Sequence, residues 1–268
     1  MSETRIIDLE FVRSSDMPFH PAHRPGYSYF LHRRHTDAEQ EKSEYPIKRT
    51  SSSGLLVMPE HSGTHVDALC HQAEDLKFYG CDSLHGVESS VGYSQGDAVD
   101  IPVFHHPGTL IDVAALYDEG EVPPATLIDL DTVKRALDRQ GNEIRPGSVV
   151  LVHTGNTKYW DQAERYMDGP GISAEVSQWL ADQRVAAVGA DNMAWDLFGP
   201  ANQGFGSDGP GHVILLVRSG IYIFENVKLD ELAAERAYDF TFVATPMKLR
   251  GATGSPIRPL AFVDGPAD

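Results

Sequence analysis

The sequence predicts one α/β or α+β domain, on three observations. Stretches with helical spacing alternate with short apolar runs through the C-terminal half of the 268-residue chain. The β-branched run Ser148-Val149-Val150-Leu151-Val152 follows a Pro146-Gly147 turn and has the composition of a central strand. No internal repeat, low-complexity tract or linker divides the chain, so one domain over 1–268 is expected.

In chain order, residues 6–11 alternate and predict a first strand. Residues 14–53 are polar, punctuated by Pro18, Pro21, Pro25 and Pro46, and read as a long functional loop. Its aromatics Phe19, Tyr27, Tyr29 and Phe30 suit a cover over a pocket or an arm on a neighbouring subunit. His20, His23, His32 and His35 read as surface residues. Residues 54–58 read as a buried strand, and 109–113 as another. Residues 131–140 have helical spacing, with Leu130, Val133 and Leu137 as the apolar stripe. Asp129 or Asp131 is the N-cap and Gly141 the stop. Ser173 caps a second helix over 174–184 that buries Val176, Trp179 and Leu180. A strand over 185–189 then leads to the polar corner Ala190-Asp191-Asn192.

Residues 203–211 form a glycine-rich loop. Its Gly204-x-Gly206-x-x-Gly209 has the letters of a dinucleotide fingerprint, but no apolar strand precedes it and Pro210 interrupts it, which excludes that role. His212 then opens a short helix over 213–219, stopped by Gly220. Glu225 ends the strand over 221–224, where a buried carboxylate is costly unless a cation or donor offsets it. Arg258, between prolines, suits an acidic group of the protein or a substrate carboxylate, and the structural role is the favoured expectation.

Hydrophobic content of 41% with 23% charged residues is that of a soluble globular protein. A net charge of −17 argues against nucleic acid or an anionic membrane as partner. No apolar run approaches the roughly 18 residues of a membrane span. Two cysteines, Cys70 and Cys81, make no disulfide framework, and Met1-Ser2-Glu3-Thr4-Arg5 lacks a signal pattern. Cytoplasmic residence is the expectation.

The chemistry concentrates in His61-Ser62-Gly63-Thr64-His65-Val66-Asp67-Ala68-Leu69-Cys70-His71. In an extended segment, His65 and Asp67 leave the same face. Gly63 permits a tight turn that brings His61 alongside. Two imidazoles and a carboxylate suit zinc, manganese or iron(II), and three ligands leave room for a water. His71 lies close enough to move that water's proton rather than bind the metal.

The motif His-x-Gly-Thr-His-x-Asp-x-x-x-His resembles the signature of the cyclase-like metal-dependent hydrolases, a family that includes bacterial kynurenine formamidase and isatin hydrolase. Thr154-Gly155, Pro170-Gly171-Ile172-Ser173, Val188-Gly189-Ala190-Asp191, Glu225-Asn226 and Gly254-Ser255-Pro256-Ile257-Arg258 extend the resemblance along the chain. Leu69 departs from it, since members commonly carry proline there. The resemblance implies a swivelling β/β/α fold, with a central sheet or partial barrel flanked by helices, in a homodimer or larger homo-oligomer. It implies His61, His65 and Asp67 as ligands of one metal, and Asp67, His212 and Glu225 as ligands of a second. His71 becomes the proton carrier.

The expected activity is hydrolysis of a small amide, lactam or lactone, with one or two Zn²⁺ or Mn²⁺ ions. The Thr64 hydroxyl or a backbone N–H is expected to help hold the oxyanion. Trp160, Trp195 and Phe205 are candidates to stack on a small aromatic substrate, though each reads more readily as core. The competing expectations are a metal-dependent lyase or isomerase acting beside a carbonyl, and a silent metal-binding protein.

Overall fold

A computed structural model describes residues 4–197 and 209–264. Phe205 and the glycine-rich stretch as far as residue 208 lie outside the described residues. The strands are β1 (Arg5–Asp8), β2 (Ser28–Arg33), β3 (Ser53–Val57), β4 (His65–Asp67), β5 (Glu88–Ser89), β6 (Gly92–Tyr93), β7 (Phe104–Asp112), β8 (Leu127–Ile128), β9 (Val149–His153), β10 (Gly171–Ile172), β11 (Ala187–Ala190), β12 (Tyr222–Glu225), β13 (Asp239–Ala244), β14 (Gly254–Pro256) and β15 (Leu260–Val263). The helices are α1 (Leu130–Gln140), α2 (Ala163–Met167), α3 (Ala174–Asp182), α4 (Pro210–His212) and α5 (Asp230–Ala234), and a π-helix, Val213–Ser219, continues α4.

A curled, partly closed mixed sheet runs β1-β15-β13-β7-β9-β11-β12-β4-β14, flanked by helices. Its centre, β7-β9-β11-β12, is parallel. The flanking pairs are antiparallel. Every residue of β9 is buried, as expected of a strand covered on both faces. Val149 and Leu151 join a core with Leu110, Phe224 and Phe242. Val150 and Val152 point the other way, into a core with Ile111, Val188 and Ile223. Val133 of α1, Val176 and Leu180 of α3, and Leu215 and Leu216 of the π-helix close that second core. Each such aliphatic side chain contributes about 1.5–3 kcal/mol by leaving water.

The local signals place the helices. Asp129 accepts a hydrogen bond from the Thr132 N–H and Gly141 ends α1. Ser173 accepts from Val176 and starts α3. That helix stops at Asp182, two residues short of expectation, because Arg184 has turned to φ 56. Trp179 is half-buried rather than buried.

Two expectations for the N-terminal half need correction. The 14–53 segment contains strand β2, which pairs antiparallel with β3 to make a two-stranded ribbon. Strand β3, expected to be buried, is exposed along its whole length. Apolarity marked it as a strand, but nothing local says whether a second layer covers it. Arg258 is structural, as expected: its Nε and Nη2 donate to Asp8 Oδ2 at 3.0 and 2.6 Å.

The topology gathers polar side chains at one edge. Strand β12 ends there with Glu225, directly opposite His65 of β4. On the other side of β4, Asp67 lies opposite Gly254 of β14.

Candidate metal centre

Strand β4 carries His65 and Asp67 into one buried cluster, as their two-residue spacing requires. The turn before it is built at Gly63, whose φ of 61° is costly for other residues. A Cβ there would also stand 2.6 Å from the Arg13 guanidinium. Arg13 donates to the Ser62 and Thr64 carbonyls and so locks the turn. His61 is thereby placed with Nδ1 2.8 Å from Asp67 Oδ1. Gly254 leaves room for it, since a Cβ there would meet His61 Cε1 at 2.7 Å.

Hydrogen bonds at the far nitrogens fix how each imidazole faces the cluster. Thr253 gives its only hydroxyl proton to Glu60 Oε1 (2.6 Å), so its oxygen accepts from His61 Nε2 (2.7 Å). A neutral His61 then turns a lone pair at Nδ1 toward the Asp67 carboxylate. Two lone pairs at 2.8 Å need a proton or a metal ion between them. His65 donates from Nδ1 to the Gly63 carbonyl (2.8 Å) and points Nε2 at Glu225 Oε2 (3.3 Å) and Asp67 Oδ1 (3.5 Å). His212 donates from Nδ1 to Asp196 Oδ2 (2.6 Å) and points Nε2 at Glu225 Oε1 (3.2 Å) and Asp67 Oδ2 (3.6 Å). Carboxylate or carbonyl partners of this kind are how proteins orient metal-binding histidines.

Ligand atoms of His61, Asp67 and His71 lie within 4.8 Å of one another, as do those of His65, Asp67 and Glu225. The two trios share Asp67. His65 Nε2 and Asp67 Oδ2 are buried and, among the described residues, find no hydrogen-bond partner. Such atoms are expensive to bury unless something binds them. The donor set therefore fits a divalent cation with N and O ligands.

Charge in the cluster is mutual. Burial works against ionised Asp67, but the facing His71, His212 and His61 hold its pKa well below the usual carboxylate value. Burial also opposes charge on His65, yet the Glu225 and Asp67 carboxylates raise its pKa. For His71, burial dominates and pushes the imidazole down to about 3, so it is neutral at pH 7. Its ring lies 3.9 Å from that of His61, and its Nε2 is 3.3 Å from Gln72 Nε2. Burial pushes the Cys70 thiol up to about 12, so it offers no thiolate.

The cluster opens into a cavity of about 480 Å³ lined by His61, His71, His212 and Glu225 together with His20 and His23. The surface expectation for His20 and His23 is thus corrected. The N-terminal segment folds back, and the half-buried His23 ring stacks on His61 at 4.8 Å. His32 and His35 are exposed, as expected. Trp160 and Trp195 belong to the core: Trp160 stacks on Phe11 at 4.2 Å, and Trp195 donates to Ser177. The Thr64 hydroxyl donates to the Asn226 carbonyl and accepts from the Phe11 N–H, which leaves no donor for an oxyanion. Sequence reasoning missed Glu60, Thr253, Asp196, Gln72, His20 and His23. The adjacency of Glu60 to His61 and of Gln72 to His71 was the local hint.

Residues 7–197 match the profile of the Cyclase family, whose description reads "Putative cyclase". The chain belongs to this family. This cyclase-family chain is 27% identical over 217 residues to isatin hydrolase of Roseibium aggregatum, covering 78% of this chain and 73% of that one. It is 27% identical over 206 residues to kynurenine formamidase of Bacillus cereus, covering 76% and 77%. Among solved structures, a novel cyclase superposes with a TM-score of 0.83 at 25% identity, over 96% of this chain and 88% of that one. Isatin hydrolase A from Ralstonia solanacearum shares the fold, with a TM-score of 0.71 at 22% identity over 97% and 92%. Among the described residues, no helix is long and apolar enough to cross a membrane.

Proposed function

We propose that this chain is a metal-dependent hydrolase that opens a small amide, lactam or lactone. One observation carries the proposal: three tautomer-fixed histidines aim nitrogens at two buried carboxylates, with His65 Nε2 and Asp67 Oδ2 left without hydrogen-bond partners among the described residues. His61, His65 and Asp67 would hold one Zn²⁺ or Mn²⁺ ion, and Asp67, His212 and Glu225 would hold a second where two bind. Bound there, a divalent cation supplies the Lewis acidity that acidifies water and polarises a carbonyl.

The remaining work falls to side chains. Neutral His71 takes a proton from the attacking water as the new C–O bond forms. The C–N or C–O bond then breaks, and His71 returns that proton to the departing nitrogen or oxygen. Glu60 through Thr253, the Gly63 carbonyl and Asp196 keep His61, His65 and His212 in register. His20 and His23 narrow the cavity over the reacting carbonyl. The names of the relatives, isatin hydrolase and kynurenine formamidase, support a cyclic or formyl amide as the substrate class. Two free, buried cysteines accord with a reducing cytoplasm, and a homo-oligomer is the inferred assembly.

One observation favours a second role for His71. It lies within ligand reach of His61 and Asp67 and could itself bind the metal. Metal analysis of a His71 variant separates the two roles.

The deciding experiment loads the protein with Zn²⁺ or Mn²⁺ and offers an N-formyl anilide, isatin and an aryl lactone in ¹⁸O-water. Turnover with one ¹⁸O in the product is expected. Product without ¹⁸O would point to a lyase or isomerase. No turnover of any of these by metal-loaded protein would refute the proposed substrate class.

A further inference from the structure

Hydrolysis at a carbonyl needs a donor for the oxygen that gains charge, and the Thr64 hydroxyl is spent on the Asn226 carbonyl. Most side chains that line the cavity are committed as well. His61 Nε2 donates to Thr253, and its Nδ1 faces Asp67. His212 Nδ1 donates to Asp196, and its Nε2 faces Asp67 and Glu225. Gln72 points its amide nitrogen at His71 Nε2 (3.3 Å), and His20 Nδ1 accepts from the Ala22 N–H (3.3 Å). The alanines, Met193 and Val213 in the wall offer no side-chain donor.

His23 is different. Neither of its ring nitrogens makes a hydrogen bond to a described residue. Its ring stacks on His61 at 4.8 Å and stands 6.1 Å from that of His71, so one carbonyl group can reach both. Neutral or charged, an imidazole carries at least one N–H. The chain also holds His23 in place. Its backbone N–H donates to the His20 carbonyl (2.9 Å) and closes a turn. On either side of that turn, buried Met17 and partly buried Tyr27 pack into one cluster with Phe11 and Trp160. A donor fixed beforehand needs little reorganisation when charge develops.

We propose that His23 is a catalytic residue, the donor of a hydrogen bond to the carbonyl oxygen as water adds to the carbon. It keeps its proton throughout. The proton of the water goes to His71, and the electron pair on the oxygen re-forms the C=O bond as the C–N or C–O bond breaks. The role rests on the hydrolytic reading above, and its test separates the two.

Zinc-loaded wild type is compared with His23→Phe, which keeps a ring on His61 without a donor, and His23→Gln, which keeps an N–H without the ring. The calorimetric probe is phenylphosphonate, a stable tetrahedral anion. His23→Phe should keep its zinc and its circular dichroism spectrum, yet bind the phosphonate about tenfold more weakly, as loss of one hydrogen bond to a charged group requires. His23→Gln should bind it nearly as tightly as the wild type. His23→Leu covers the case in which the phenylalanine variant misfolds. On whichever of the N-formyl anilide, isatin or aryl lactone is hydrolysed, His23→Phe should lose roughly 10²–10³ in kcat with KM little changed, and His23→Gln should recover most of the loss. Equal phosphonate affinity in wild type and His23→Phe, no phosphonate binding by the wild type, or an unchanged kcat would overturn the proposal. Loss of zinc from His23→Phe would make His23 a metal ligand and overturn it too. No turnover by the wild type, with phosphonate binding still dependent on His23, would refute the substrate class alone and support His23 as the donor.

Discussion

His61 Nδ1 and Asp67 Oδ1 stand 2.8 Å apart, while His61 Nε2 is already engaged at 2.7 Å by Thr253 Oγ1. The second contact determines the first, because a Thr253 oxygen that donates to Glu60 can only accept from His61. The nitrogen facing Asp67 is thereby kept available to a cation. The same logic joins His212 to Asp196, whose carboxylate also accepts from the Gly211 and His212 N–H groups.

Thr253→Val and Asp196→Asn should therefore weaken metal binding by roughly 10–100-fold each without unfolding the chain. Metal titration monitored by competition with a chromophoric chelator measures this. Wild-type affinity in both variants would show that the orienting bonds carry no weight.

His71→Ala should keep its metal yet lose on the order of 10²–10⁴ in turnover. His65→Ala and Asp67→Ala should instead lose the ion. Elemental analysis of the three proteins separates them. Loss of the ion in the His71 variant as well would make that residue a ligand, and normal turnover would remove it from the mechanism.

Gly63→Ala should destabilise the fold by about 1–2 kcal/mol, from the left-handed backbone alone. Contact with the Arg13 guanidinium adds to that loss. Urea denaturation checks the stability, and metal content checks the position of His61. An unchanged midpoint would mean that the turn relaxes without cost.

Stability should also depend on pH through His153, whose Nδ1 is 2.8 Å from Asp112 Oδ1 and whose Nε2 is 3.9 Å from Asp191 Oδ2. Burial disfavours its charge, but the Asp112 hydrogen bond and the Asp191 charge raise its pKa above 6.5. Folding thus takes up a proton. The stabilisation is complete below 6.5 and fades as pH climbs through the folded-state value. The stability gap between wild type and His153→Asn should narrow from acidic to alkaline pH. A gap that stays constant would show an unshifted imidazole, and one that widens toward alkaline pH would show that His153 folds neutral.

Much of the centre was legible because its residues are close in sequence. His61, His65, Asp67 and His71 span eleven positions, and strand alternation plus one tight turn is enough to bring them together. His212 and Glu225 came from the resemblance, and the structure brings both against Asp67. Asp196 and Thr253 gave no such sign. Each matters only because a loop or strand pairing delivers it to a histidine 16 or 192 residues away. His23 looked like a surface residue because its neighbours are polar and proline-rich. It is half-buried because that segment turns back over the cavity.

By itself, then, the sequence determined the elements whose causes are local: the caps of α1 and α3, the buried β-branched strand β9, and the extended spacing of His65 and Asp67. Tertiary structure decided which surfaces meet. It left the apolar residues 54–57 in an exposed ribbon, set β12 and β14 on either side of β4, and turned three imidazoles toward one carboxylate. Propensity and periodicity act within a few residues, whereas burial and convergence depend on pairings between segments that the chain joins only when it folds.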